Sequence, residues 1–158
     1  MTLEEDVVNT LKSKLGDKIL EARIQRPRRL FITVNGEAYK EVVKILKNEL
    51  GVTHLSTITG VDARDRFEVI PLFSYKGIVI AIKGIIPRDS PSIDSIVDVI
   101  PGAFFYEKEV HEMFGIDVKG HPDMTHLELP DDWPEGLYPL RKDVDFQDLM
   151  KRITKERD

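Results

Sequence analysis

The chain has 158 residues, of which 41% are hydrophobic and 32% charged, and a formal net charge of −5. That length suits one domain with a buried core, and the negative balance argues against general nucleic-acid binding, which needs a basic face. The lack of cysteine removes disulfides, thiolate-held iron–sulfur clusters, zinc–thiolate sites and a cysteine nucleophile together. It fits a reducing compartment. No charged-then-apolar leader is seen, and no apolar run approaches the ~20 residues that span a bilayer, so membrane association is expected only through partners. Sparse Asn and Gln beside abundant Lys, Glu, Ile and Val suggest a hot source.

In chain order, Thr2 and Glu5 form a capping box, and Leu3, Val7, Val8, Leu11 and Leu15 recur at helical spacing up to Gly16. Ile19 to Gln25 and Leu30 to Val34 read as strands joined around Arg26-Pro27-Arg28. The basic cluster there (Arg23, Arg26, Arg28, Arg29) reads as a solvated rim. Asn35 is placed to cap a second helix carrying Tyr39, Val42, Val43, Leu46 and Leu50, ended by Gly51. Leu55 to Val61, Phe67 to Tyr75 and Ile78 to Ile86 are rich in β-branched and aromatic residues, with turns at Asp62 to Arg66 and Lys76-Gly77. Pro71 has no N–H for a ladder, which predicts an edge strand or a bulge. Ser90 is expected to cap a short helix from Pro91, with Ile93, Ile96, Val97 and Ile100 on one face. A further helix from Ala103 to Phe114 stripes Tyr106, Val110, Met113 and Phe114, and Gly115 stops it. Beyond Ile116 periodicity disappears. Trp133, Tyr138, several leucines and prolines make that stretch too apolar for a solvated tail, so it is expected to be an extended arm that packs on something. The predicted fold class is α+β, a mostly antiparallel sheet packed by helices: residues 1–102 form the body, and 103–158 a docking helix and arm of the same domain.

Motifs for chemistry are largely absent. There is no phosphate-cradling G-x-x-x-x-G-K-[ST] or G-x-G-x-x-G, and no G-x-S-x-G. His111-Glu112 fails as a zinc H-E-x-x-H helix because Gly115 stands where the second histidine belongs. His121 and His126, near Asp123 and Glu128, match no tight metal spacing. Glu107, Glu109 and Glu112 have three readings. They can be acid–base or proton-relay groups, a solvated face with Glu107–His111 and Lys108–Glu112 as i,i+4 pairs, or an interface that meets arginines. From Phe104 to Gly136 nine acids face two bases, which favours a basic partner surface.

The run Phe105-Tyr106-Glu107-Lys108-Glu109-Val110-His111-Glu112-Met113-Phe114-Gly115-Ile116, then Gly120-His121-Pro122-Asp123, resembles the signature of the 30 kDa subunit of respiratory complex I. Leu129-Pro130-Asp131-Asp132-Trp133-Pro134 and Tyr138-Pro139-Leu140-Arg141-Lys142-Asp143 are similar to its continuation. The family includes equivalent subunits of membrane-bound [NiFe] hydrogenases and related ferredoxin-linked complexes. The resemblance implies a non-catalytic, peripheral-arm subunit of a hetero-oligomer, on the cytoplasmic, inner face of the cell membrane. Its partners would be a large catalytic subunit (hydrogenase large subunit or complex I 49 kDa-like) and a neighbouring iron–sulfur subunit. No cofactor is expected on this chain; iron–sulfur clusters, and NiFe in a hydrogenase, would sit in partners. Glu107, Glu109, His111, Glu112, His121, Asp123, Trp133, Tyr138, Leu140, Arg141 and Asp143 are the expected partner-binding residues, with no catalytic or metal site. Thr125 and His126 depart from the pattern, since complex I members typically have two arginines there. The short chain and its composition favour the hydrogenase or related branch. The alternatives are a quinone-reducing complex I subunit, or a proton relay through Glu107, Glu109 and His111.

Overall fold

The structure is a computed structural model in which residues 1–155 are described; the last three residues of the expected arm, 156–158, lie outside the described residues. Helix α1 (Leu3–Leu15) starts on the capping box, with Glu5 N–H donating to Thr2 Oγ1 at 3.2 Å and Thr2 N–H to Glu5 Oε2 at 2.9 Å. Each bond satisfies a backbone donor that the first turn leaves orphaned. The chain continues through β1 (Ile19–Arg26), β2 (Arg29–Asn35), α2 (Gly36–Leu50), β3 (His54–Asp62), β4 (Arg66–Tyr75) and β5 (Ile78–Pro87).

These strands form one sheet in the order β1-β2-β5-β4-β3. Neighbours are antiparallel except β2 and β5, which run parallel with Arg29 opposite Val79 and Asn35 opposite Ile85. The intervening α2 is part of the long connection that a parallel pair requires. It lays Tyr39, Val42, Val43 and Leu46 against β2 and β5, and α1 packs Val7, Leu11 and Leu15 into the same core. Each fully buried aliphatic side chain there contributes about 1.5–3 kcal/mol. The expected α+β class and mostly antiparallel sheet are what the structure has.

Two expectations are corrected. Pro71 lies in β4, an inner strand. Its missing N–H falls where the β4–β5 ladder is interrupted between Val69↔Gly84 and Leu72↔Ala81, and the register irregularity is in the β3 ladder, at Leu55/Thr57. Pro91 to Ile100 is not a helix. Ser92–Asp94 is a strand, β6, paired in parallel with β7 (Asp117–Lys119), and only one turn follows, closed by Ile100 N–H on Ile96 O at 2.7 Å. The helical spacing of the isoleucines is real, but Ile93 meets Val118 across a ladder that joins distant segments, and such pairing overrides a short local period.

Candidate functional site

Helix α3 (Phe104–Phe114) packs against β3 and ends at Gly115, whose left-handed φ of 71° closes the helix with its N–H on His111 O. Its charged residues do not form a common outward face. Glu107, Lys108 and Glu112 are each 4% exposed or less, and neither i,i+4 pair forms among the described residues. Instead the three hold segments remote in sequence.

Glu107 accepts from the Ser95 hydroxyl and from Ile96 N–H, both at 2.7 Å. His121 lies beside it, Nε2 3.9 Å from Glu107 Oε2, and the ring is fixed by Nε2 on Phe104 O and by Asp123 N–H donating to Nδ1. Lys108 donates to Asp123 Oδ2 and Thr125 Oγ1, both at 3.1 Å, while Thr125 donates through its hydroxyl and its N–H to Asp123. Glu112 accepts from Leu127 N–H at 2.6 Å, Glu128 N–H at 2.9 Å and His126 Nδ1 at 3.1 Å. Residues 121–128 have no regular structure, so their backbone donors need acceptors, and the helix carboxylates supply them. Thr125 and His126, where arginines are expected, make internal bonds here.

These contacts set the ionisation of the carboxyls. Burial pushes Glu107 above the ordinary carboxyl range, against the opposing pull of the Ile96 N–H and the Ser95 hydroxyl. For Glu112 burial acts in the same upward sense, but the Glu128, Leu127 and His126 bonds outweigh it and the net shift is downward. Hydrogen bonds from Thr125, then from Lys108, lower Asp123 to about 2. With Glu107 raised, the folded state keeps its proton at a pH where the unfolded chain has lost it, so this group's contribution falls as pH rises from the unfolded value towards the folded one. Glu107→Gln is therefore expected to gain on the wild type as pH goes from 4 to 8. Urea midpoints at the two pH values check this, and a pH-independent gap would refute it.

The arm beyond residue 128 is stitched to its own domain. Trp133 Nε1–H donates to Leu137 O at 2.8 Å, Leu140 N–H to Met113 O at 3.1 Å, and Arg141 Nε–H to Phe114 O at 2.7 Å. The Arg141 guanidinium lies over the rings of Tyr138 and Phe67, at 4.6 and 5.0 Å. Lys142 N–H reaches Asp62 Oδ2 at 2.8 Å, and Asp143 Oδ1 is 3.5 Å from Arg88 Nη2. The arm ends in α4 (Phe146–Lys155), which sequence reading missed although Phe146, Leu149, Met150 and Ile153 have helical spacing; none of its residues is buried. Asp62, Arg88 and Ser95 were also missed, because their partners lie far along the chain.

Of the expected partner residues, then, Glu107 and Glu112 face inward, and Tyr138 and Arg141 pack half-buried on the domain. Glu109, Leu140 and Asp143 remain exposed. His111 bonds Ile116 O through Nδ1. Among the described residues no direct hydrogen bond joins Glu107, Glu109 and His111; Glu107 is turned to Ser95 and Ile96, and His111 to Ile116. Between α3 and the arm lies a cleft of about 440 Å³, lined by His111, His126, Asp131, Trp133, Glu135 and Tyr138 among others. Among the described residues no His/Asp/Glu group is placed to hold a metal ion, and no helix is long and apolar enough to cross a membrane.

Residues 32–149 match the family described as respiratory-chain NADH dehydrogenase, 30 Kd subunit. The chain is 40% identical to a subunit of the F(420)H(2) dehydrogenase of Methanosarcina mazei, over 88% of this chain and 90% of that one. It is 31% identical to the membrane-bound hydrogenase subunit beta of Pyrococcus furiosus, over 90% and 87%. Among solved structures, a chain of the membrane-bound sulfane sulfur reductase, an archaeal respiratory membrane complex, superposes with a TM-score of 0.80 at 29% identity, covering 96% of this chain and 91% of that one.

Proposed function

The chain belongs to the family of the 30 kDa subunit of respiratory-chain NADH dehydrogenase, and from that premise we propose that it is a non-catalytic subunit of a complex I-like membrane oxidoreductase. Its role is to dock on the large catalytic subunit through α3 and the arm. One observation carries this: among the described residues, five of the eight large hydrophobic side chains left exposed (Phe105, Leu127, Leu140, Phe146 and Met150) lie in residues 103–155. Exposed apolar surface gathered on one part of a chain marks an interaction site. The internal bonds of Glu107, Lys108 and Glu112 support a preformed docking surface, since they hold the loop before any partner arrives.

In this reading the chain binds no cofactor of its own; iron–sulfur clusters, and NiFe if the complex is a hydrogenase, belong to partner subunits. Attachment to the cytoplasmic face of the membrane is through those partners. Identity to the F(420)H(2) dehydrogenase subunit over 90% of its length supports a dehydrogenase in the related branch alongside the hydrogenase reading. A large subunit with two C-x-x-C pairs encoded nearby would favour hydrogenase.

The test is Trp133→Ala with Leu140→Ala. The double variant is expected to keep its circular dichroism and a cooperative unfolding transition, with the loss confined to the arm, while no longer co-purifying with the large subunit. Undiminished co-purification would rule out docking through the arm.

A further inference from the structure

We propose that the cleft between α3 and the arm receives an arginine side chain presented by the partner subunit; this rests on the docking reading above and names the chemistry of its anchor. Among the described residues the cleft is lined by three acids, Glu112, Asp131 and Glu135, and by no lysine or arginine. His111 Nδ1 faces the carbonyl of Ile116, which can only accept, so Nδ1 carries a proton, and in the neutral ring this tautomer leaves Nε2 as an acceptor. His126 Nδ1 donates to the Glu112 carboxylate at 3.1 Å, so that nitrogen and the carboxylate are both engaged within the chain. The one donor of the Trp133 indole is taken by Leu137 O. Asp131 and Glu135 stand exposed at the rim, and no lysine or arginine occurs from Gly120 to Leu140. Arg152 reaches Glu135 only at its backbone oxygen, at 3.4 Å.

A cleft of this kind matches a group that donates many hydrogen bonds, accepts none and is positively charged. Arginine and lysine both qualify by charge. The Tyr138 ring already carries Arg141 over it, but the half-buried Trp133 wall favours the planar guanidinium, which stacks on aromatic faces and spreads its five N–H groups over separate acceptors. The volume of about 440 Å³ admits a whole side chain.

The experiment uses the native complex. A photo-crosslinking p-benzoylphenylalanine replaces Leu129, which lines the cleft, and the cross-linked peptide is sequenced; separately, Asp131→Asn with Glu135→Gln removes the rim charge while keeping its shape. The expected outcome is an arginine-containing partner peptide, and about ten-fold faster release of the double variant at 0.15 M salt. A cross-linked peptide with lysine alone or no cation, or an unchanged release rate, overturns the proposal while leaving docking intact. A chain that co-purifies with nothing, or cross-links to no other subunit, overturns docking as well.

Discussion

Asp62→Ala is expected to destabilise the folded chain by about 3–5 kcal/mol, the usual cost of stripping one partner from a buried ion pair. The Asp62 side chain has no solvent exposure. It accepts from Nη1 of Arg88 and from Nη2 at 3.2 Å, and from the backbone N–H groups of Arg64 and Lys142, each at 2.8 Å. Alanine would orphan both N–H groups and leave Arg88, over the Phe67 ring 4.8 Å away, with only the exposed Asp143 carboxylate at 3.5 Å as counter-charge. Asp62→Asn keeps the shape but turns an amide donor towards a donor, so an intermediate loss is expected. The Arg88 hydrogen bond holds the Asp62 carboxyl well below the ordinary range. Its contribution is complete above the unfolded value near 4 and disappears only as pH falls through the lower folded value. The wild type should accordingly keep its advantage over the alanine variant down to about pH 4 and lose it below. Urea unfolding from pH 7 to pH 3 measures both effects, and a difference under about 1 kcal/mol at pH 7 would show the pair to be dispensable.

The second large effect is expected at Gly115→Ala. The φ of 71° there is left-handed, which costs a side-chain-bearing residue about 1–2 kcal/mol, and an added Cβ would overlap the Tyr138 ring. Because Tyr138 belongs to the arm, the easiest relief is for the arm to lift. The total cost is put at about 3 kcal/mol with the overpacking included, and its location is the more telling result. Amide hydrogen exchange should show lost protection at Leu137, Leu140 and Arg141 while β2, β4 and β5 are unchanged. Tyr138→Ala should make the glycine replaceable at lower cost, a non-additivity expected of touching residues. Equal loosening of sheet and arm would mean that Gly115 serves α3 alone.

The body of the fold was legible because its signals are local. Thr2 and Glu5 cap α1, Gly51 ends α2, and the β-branched runs of β3 to β5 announce themselves. What stayed hidden needed a partner far away. Ile93, Ile96 and Ile100 carry a helical period that only β7, a strand some 25 residues later, reveals as misleading. Pro71 can occupy an inner strand because the ladder to β5 is interrupted there. The family signature located the functional stretch, yet no reading of Glu107 and Glu112 as surface groups could foresee that loop N–H groups 11 to 16 residues away would claim them. Lys108 and Asp123 likewise look like surface charges until the loop folds over the helix.

The two edges of the sheet are unequally defended against self-association. Strand β3 has α3 beside it, with the Tyr106 hydroxyl donating to the Ser56 backbone carbonyl. At the other edge β1 exposes Leu20 and Ile24, 52% and 42% accessible, on a strand whose outer backbone groups could template another copy. Register irregularities near both of its ends and the charges of Glu21, Arg23 and Arg26 are what oppose strand-to-strand stacking. Two of these guards are like charges, whose repulsion salt weakens as the screening length shrinks to about 3 Å at 1 M. Concentrated salt is thus the condition in which the separated chain should aggregate through β1.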